Sequence, residues 1–130
     1  MGLDSYLYPK RAQRADLPRD LILCDWDDAT TADAEMVSFR GKVYDSLFER
    51  IVGDTLYAES ASAEWVAMAA GKLDAFCLWN ADLPDHGYPA IGPVMVDKQF
   101  VNQRPMREIR SLSALFRWAA DHGATYCGSW

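Results

Sequence analysis

Leu3, Ser5 and Leu7 alternate with Asp4, Tyr6 and Tyr8 until Pro9 ends the run. This period of two predicts a short strand over residues 3–8 with Leu3, Ser5 and Leu7 on one face. Residues 10–20 are polar, contain Pro18 and read as a connection. The continuous apolar run Leu21-Ile22-Leu23-Cys24, closed by Asp25-Trp26-Asp27-Asp28, predicts a second strand whose carboxyl end meets solvent. After an irregular acidic stretch, Phe39, Val43, Leu47 and Ile51 recur every four residues, and Tyr44, Phe48 and Val52 widen the stripe. A helix over residues 38–52 follows, with Gly53 as its left-handed stop.

Another helix opens near Ser60 or Ser62, with Glu64 in the first turn, where a carboxylate favours the positive end of the dipole. Trp65, Ala69, Leu73, Phe76 and Cys77 mark its inner face. Gly71 in its middle costs up to about 1 kcal/mol relative to Ala, so either close packing offsets it or the helix breaks there. From residue 80 to 105 the chain carries Pro84, Gly87, Pro89, Gly92, Pro93 and Pro105, which exclude long regular elements; one short strand over residues 94–96 survives. A loop of this length is often a working surface, which makes the region the first candidate for contact. The last helix runs from Arg107 or Ser111 to His122, with Leu112, Leu115, Phe116 and Ala119 inward and Gly123 as its stop. The tail from Thr125 to Trp130 has strand composition and is expected to pair back into the sheet. Together these elements predict one α+β domain over residues 1–130, a small mixed or antiparallel sheet of three to four strands packed against three helices.

The length of 130 residues suits a single core, and a chain that is half apolar and a quarter charged is globular rather than disordered. No apolar run approaches the roughly 18 residues that span a bilayer, and Met1-Gly2-Leu3-Asp4 lacks the basic-then-apolar order of a signal peptide. The expected location is therefore the cytosol. Cys24, Cys77 and Cys127 are too few and too widely spaced for a disulfide framework or a C-x-x-C zinc site, and read as buried small hydrophobes.

Candidate chemistry is sparse. The apolar run ending in Asp25-Trp26-Asp27 resembles the first motif of haloacid-dehalogenase-type phosphatases. That likeness implies a magnesium-dependent phosphoester hydrolase with Asp25 as nucleophile and Asp27 as acid/base. Ala29 stands where that motif has Thr or Val, and its later Lys and paired acids have no counterpart, so the enzyme reading is the alternative rather than the expectation. An EF-hand is excluded by Thr30 and Met36 at its sixth and twelfth loop positions. His86 and His122 lack metal-ligand spacing, and no Gly-rich phosphate loop is present. The chain is expected to work without a cofactor or a metal.

Charge is more informative. Residues 20–97 hold fifteen Asp or Glu against four Lys or Arg, a net −11, between flanks of +2 and +3 that bring the chain to −6. An acidic surface repels nucleic acid and attracts basic protein surfaces, including the grooves that hold DNA or RNA. Direct nucleic-acid binding through Arg104, Arg107, Arg110 and Arg117 is disfavoured, because counterion release needs a broad basic footprint. Those arginines are expected to pair with the acidic block.

Three stretches carry a wider likeness. The start Met1-Gly2-Leu3-Asp4-Ser5-Tyr6, the segment Phe39-Arg40-Gly41-Lys42-Val43-Tyr44-Asp45 with Gly53 and Leu56-Tyr57, and the Trp-ending tail over residues 119–130 resemble a group of small phage and prophage proteins of unknown function. The resemblance implies a mobile-element gene expressed in a bacterial cytosol. By analogy it implies an accessory protein that inhibits a host defence complex, anti-CRISPR-like, by binding a protein or nucleoprotein. The side chains expected to meet that partner are Asp25, Asp27, Asp28, Asp33, Glu35 and the loop aromatic Tyr88. A homodimeric structural phage protein, joined through Trp79, Trp130 and the proline-rich loop, is the remaining alternative.

Overall fold

A computed structural model describes residues 2–10, 17–18, 20–26, 36–89 and 104–130. Its strands are β1 (Asp4–Tyr8), β2 (Val37–Phe39) and β3 (Thr125–Ser129), and its helices are α1 (Asp45–Val52), α2 (Ala63–Trp79) and α3 (Met106–Asp121). β1 is central, antiparallel to both neighbours, in the order β2-β1-β3. The α+β class and the three-helix content agree with the sequence pattern.

One sheet face is buried and the other is partly open. Leu3, Ser5 and Leu7 point inward as their alternation predicts, joined by Val37, Phe39 and Tyr126, while Tyr6 and Cys127 on the reverse face are half-buried. α2 and α3 pack on each other, and their buried faces complete a core that includes Val66, Ala69, Leu73, Leu112, Leu115 and Phe116. Phe48, Trp65 and Phe116 stack at ring centroid distances of 5.5–6.4 Å. Each such side chain buried whole stabilises the fold by about 1.5–3 kcal/mol.

Ser5 is buried among these apolar groups and is satisfied there. The Tyr126 hydroxyl donates to the Leu56 carbonyl at 2.6 Å, and Ser5 Oγ donates to Tyr126 at 2.7 Å. The same corner fixes Gly128: a Cβ there would lie 2.7 Å from Leu56 O and 2.9 Å from Ala58 O, too close to backbone. The N-terminus of α2 follows expectation, Ser62 accepting the Trp65 amide at 3.2 Å. Gly53 ends α1 with φ 87.

Several expectations are corrected. The run Leu21-Ile22-Leu23-Cys24 is not a strand; it forms no ladder, and its amides are held by side chains instead. Residues 38–44 are not α-helical. Val37–Phe39 pairs with β1 in the register Ser5↔Phe39 and Leu7↔Val37, a short 3-10 turn covers Gly41–Val43, and α1 starts only at Asp45. At Gly71 neither alternative holds: α2 continues unbroken, and a Cβ there would meet nothing within 4 Å. The three cysteines are free, as expected, but half-buried rather than buried. The strand expected over residues 94–96 lies outside the described residues. No helix among the described residues is long and apolar enough to cross a membrane.

Candidate protein-interaction surface

α3 begins at Pro105, which offers no side-chain cap, so its first amides need other partners. The loop after α2 supplies them. The Met106 amide donates to Gly87 O at 2.8 Å and the Arg107 amide to Asp85 O at 2.9 Å. One turn later, Arg110 reaches the same loop, donating to Leu83 O at 2.7 Å, Asn80 O at 3.4 Å and the Asp85 carboxylate at 2.5 Å. Asn80 closes the end of α2 with its side chain on Phe76 O at 2.9 Å. Inside, Leu83 packs on Leu47, Met106 and Ile109. Residues 80–89 are therefore a platform tied to α3 through the carbonyls of Asn80, Leu83, Asp85 and Gly87.

The side chains this platform turns outward are Asp82, Pro84, Asp85, His86 and Tyr88, and Tyr88 is 56 % exposed. Between the platform and α2 runs an open groove of about 720 Å³ lined by Asp74, Cys77, Leu78, Leu83, Pro84 and Arg110. Burial pushes the Cys77 thiol above its usual range, which leaves it un-ionised and poorly nucleophilic at neutral pH.

The neighbouring face of α3, about 100° around the helix, holds the other candidate segment. The Tyr44 hydroxyl donates to Glu108 Oε1 at 2.5 Å and accepts the Cys24 amide at 2.8 Å. The Ile22 amide donates to Ser111 Oγ at 2.9 Å, and the Arg40 amide to Cys24 O at 2.9 Å. Arg104 donates to Glu108 at 2.9 Å and lies over the Tyr44 ring at 5.6 Å. Desolvation, then the hydrogen bond to Glu108, hold the Tyr44 phenol far above its normal range. Asp25 emerges from this clamp exposed, at a left-handed φ of 51. That turn is not the strand end which the phosphatase-like motif requires.

Of the side chains expected at a partner surface, Asp25 and Tyr88 are thus placed outward on two loops that share α3 as their anchor. Asp27, Asp28, Asp33 and Glu35 lie outside the described residues. The arginine expectation is met at two positions, Arg110 with Asp85 and Arg117 with Asp74. Asp45 and Asp54 also bond internally, to Leu56 N and Trp65 Nε1. The acidic block is accordingly part framework, and its exposed members, Asp20, Asp25, Glu49, Asp54, Glu59, Glu64, Asp82 and Asp85 among the described residues, are spread over several elements. Among the described residues no three His, Cys, Asp or Glu gather as a metal site.

Sequence reading missed Asp82, Leu78 and the role of Arg110. The usable signal was α2 itself, whose apolar residues run round the whole helix, although a surface helix needs only one apolar face. No family model, no curated protein and no solved structure matches this chain.

Proposed function

We propose that the protein acts by binding another protein, with residues 80–89 as the contact surface. The carrying observation is the exposed Tyr88 on a loop that Arg110 and the first amides of α3 hold fixed. Rigid aromatic side chains lose little entropy on docking and anchor most protein interfaces, while exposed charges mainly set the rate of encounter. Asp82 and Asp25 supply negative steering charge, which favours a partner with a basic surface. The described carboxylates are too dispersed and too much engaged internally to act as a continuous copy of a phosphate backbone, so the reading rests on shape and aromatic contact first.

The likeness to small phage proteins extends this reading to inhibition of a host defence complex in a bacterial cytosol. The test is expression of the chain in a CRISPR-immune bacterial strain challenged with a targeted phage. Plating is expected to recover with the wild type and to fall back with Tyr88→Ala and with Asp82→Lys, both substitutions at exposed positions, with circular dichroism confirming that each variant is folded. Wild-type expression that leaves immunity unchanged rejects the defence-inhibitor reading. Recovery that survives both substitutions rejects the loop as the contact surface.

A further inference from the structure

The solvent face of α2 is apolar where such a face is normally polar. Glu64, Ala67, Met68, Gly71, Lys72, Ala75, Leu78 and Trp79 are its exposed positions, a stripe at helical spacing with a single acid and a single base. Trp79 is 89 % exposed and Leu78 78 %, beside a second groove of about 490 Å³ lined by Arg50, Ile51, Lys72, Ala75 and Phe76. At the other end of the helix the chain runs back along β3, Ala61 bridging Tyr126 and the Gly128 amide donating to Ala58 O. There Tyr57 and Trp130, 38 % and 52 % exposed, meet edge to face at 5.4 Å.

We propose that this face is covered by a second copy of the same chain, α2 against α2 in antiparallel array about a two-fold axis. Charge selects the occupant. Two molecules of net charge −6 repel at an acidic surface, but this face is neutral, and its Glu64 and Lys72 lie eight residues apart. In an antiparallel pair with Met68 on the axis, Glu64 of each copy stands opposite Lys72 of the other, so both charges are matched twice. Lys72 spends one donor on Val52 O at 3.1 Å and keeps two more for the partner carboxylate. Trp79 lies eleven residues from Met68 and the cap Ser62 only six, so at 1.5 Å per residue Trp79 extends about 7 Å past the partner's helix start, towards its Tyr57 and Trp130.

The area is sufficient. Taking about 200 Å² for each large side chain, the exposed fractions of Trp79, Leu78, Trp130, Tyr57 and Met68 (36 %) amount to roughly 600 Å². A stable interface uses about 800 Å² per partner, and Ala67, Gly71, Ala75 and the two charged stems supply the remainder. This surface uses none of residues 80–89, although Leu78 also lines the groove beside them.

Sedimentation equilibrium of the whole chain over micromolar to millimolar concentration tests the proposal. The expected result is a dimer whose dissociation constant rises roughly thirtyfold in Trp79→Ala. Glu64→Lys and Lys72→Glu each weaken it roughly three- to tenfold, and the double exchange restores it to within about threefold of the wild type. Lys72→Glu also loses the bond to Val52 O, but the double variant shares that loss, so restoration isolates the intermolecular pair; circular dichroism confirms that each variant is folded. A monomer throughout the range overturns the proposal and assigns the face to an unlike partner or to another segment of the chain. A dimer indifferent to Trp79→Ala, or a double exchange that fails to restore, overturns this arrangement.

Discussion

Tyr44→Phe tests the clamp that holds residues 20–26 against the helices. The substitution keeps the ring, its edge contact with Phe39 at 6.0 Å and the Arg104 guanidinium above it, and removes one oxygen. That oxygen donates to Glu108 and accepts from the Cys24 amide. A hydrogen bond to a charged group is worth about 1.5–3 kcal/mol. Glu108 keeps Arg104, and water reaches the partly buried Cys24 amide, so the second lost bond adds at most about 0.5–1 kcal/mol. The expected loss is about 2–4 kcal/mol, a fall in Tm of about 7–15 °C for a domain of this size. Urea unfolding followed by tryptophan fluorescence measures it, and amide exchange at Cys24 should quicken more than global destabilisation explains. A loss below about 0.5 kcal/mol with unchanged exchange at Cys24 would show that solvent replaces the hydroxyl and that this network does not hold the segment.

Gly71→Ala should stabilise the protein by about 0.5–1 kcal/mol, because the site is helical, exposed and open around the new methyl; a lower urea midpoint contradicts this. Gly128→Ala should cost about 1–3 kcal/mol, since the backbone carbonyls of Leu56 and Ala58 must move; unchanged stability would mean that β3 can shift freely. Tyr44 and Tyr126 are both held far above the ordinary phenol range, each chiefly by desolvation. The unfolded chain loses those protons near pH 10 while the folded one keeps them, so the stability they confer is whole below pH 10 and falls above it by about 2.7 kcal/mol per pH unit for the pair. Urea midpoints between pH 8 and pH 11 measure the fall; a flat profile, or tyrosinate absorbance from both residues in the folded protein at pH 11, contradicts the burial argument.

The elements legible in the sequence are those whose period and punctuation coincide. β1 alternates and stops at Pro9. α2 has its Ser62 cap, α1 its Gly53 stop, and the closing helix and strand flank Gly123. β2 was illegible because three residues are too few to establish a period. Phe39 lies four before Val43 and so extends the helical stripe on paper, yet its position is decided by Ser5, thirty-four residues earlier. The opposite error at Leu21-Ile22-Leu23-Cys24 has a related cause. An apolar run states that side chains are to be covered, not which groups receive its amides. Here Ser111 and Tyr44 take the Ile22 and Cys24 amides from 89 and 20 residues away, and no ladder forms.

The candidate surface shows the same limit for charge. A linear count places −11 on residues 20–97, but the potential felt by a partner depends on which carboxylates keep their charge uncompensated at the surface. Asp74 and Asp85 meet Arg117 and Arg110 across 43 and 25 residues, and Asp54 is turned to the Trp65 indole, which holds its carboxyl below the usual range. Those three serve as structural groups. By contrast, the apolar excess of α2 survives folding unspent, because a helix has a fixed angular period and α3 covers only part of its circumference. Local periodicity thus predicts an exposed apolar face more securely than local composition predicts an exposed acidic one: the first is set within one helix, whereas the second can be cancelled by any arginine that the fold brings near.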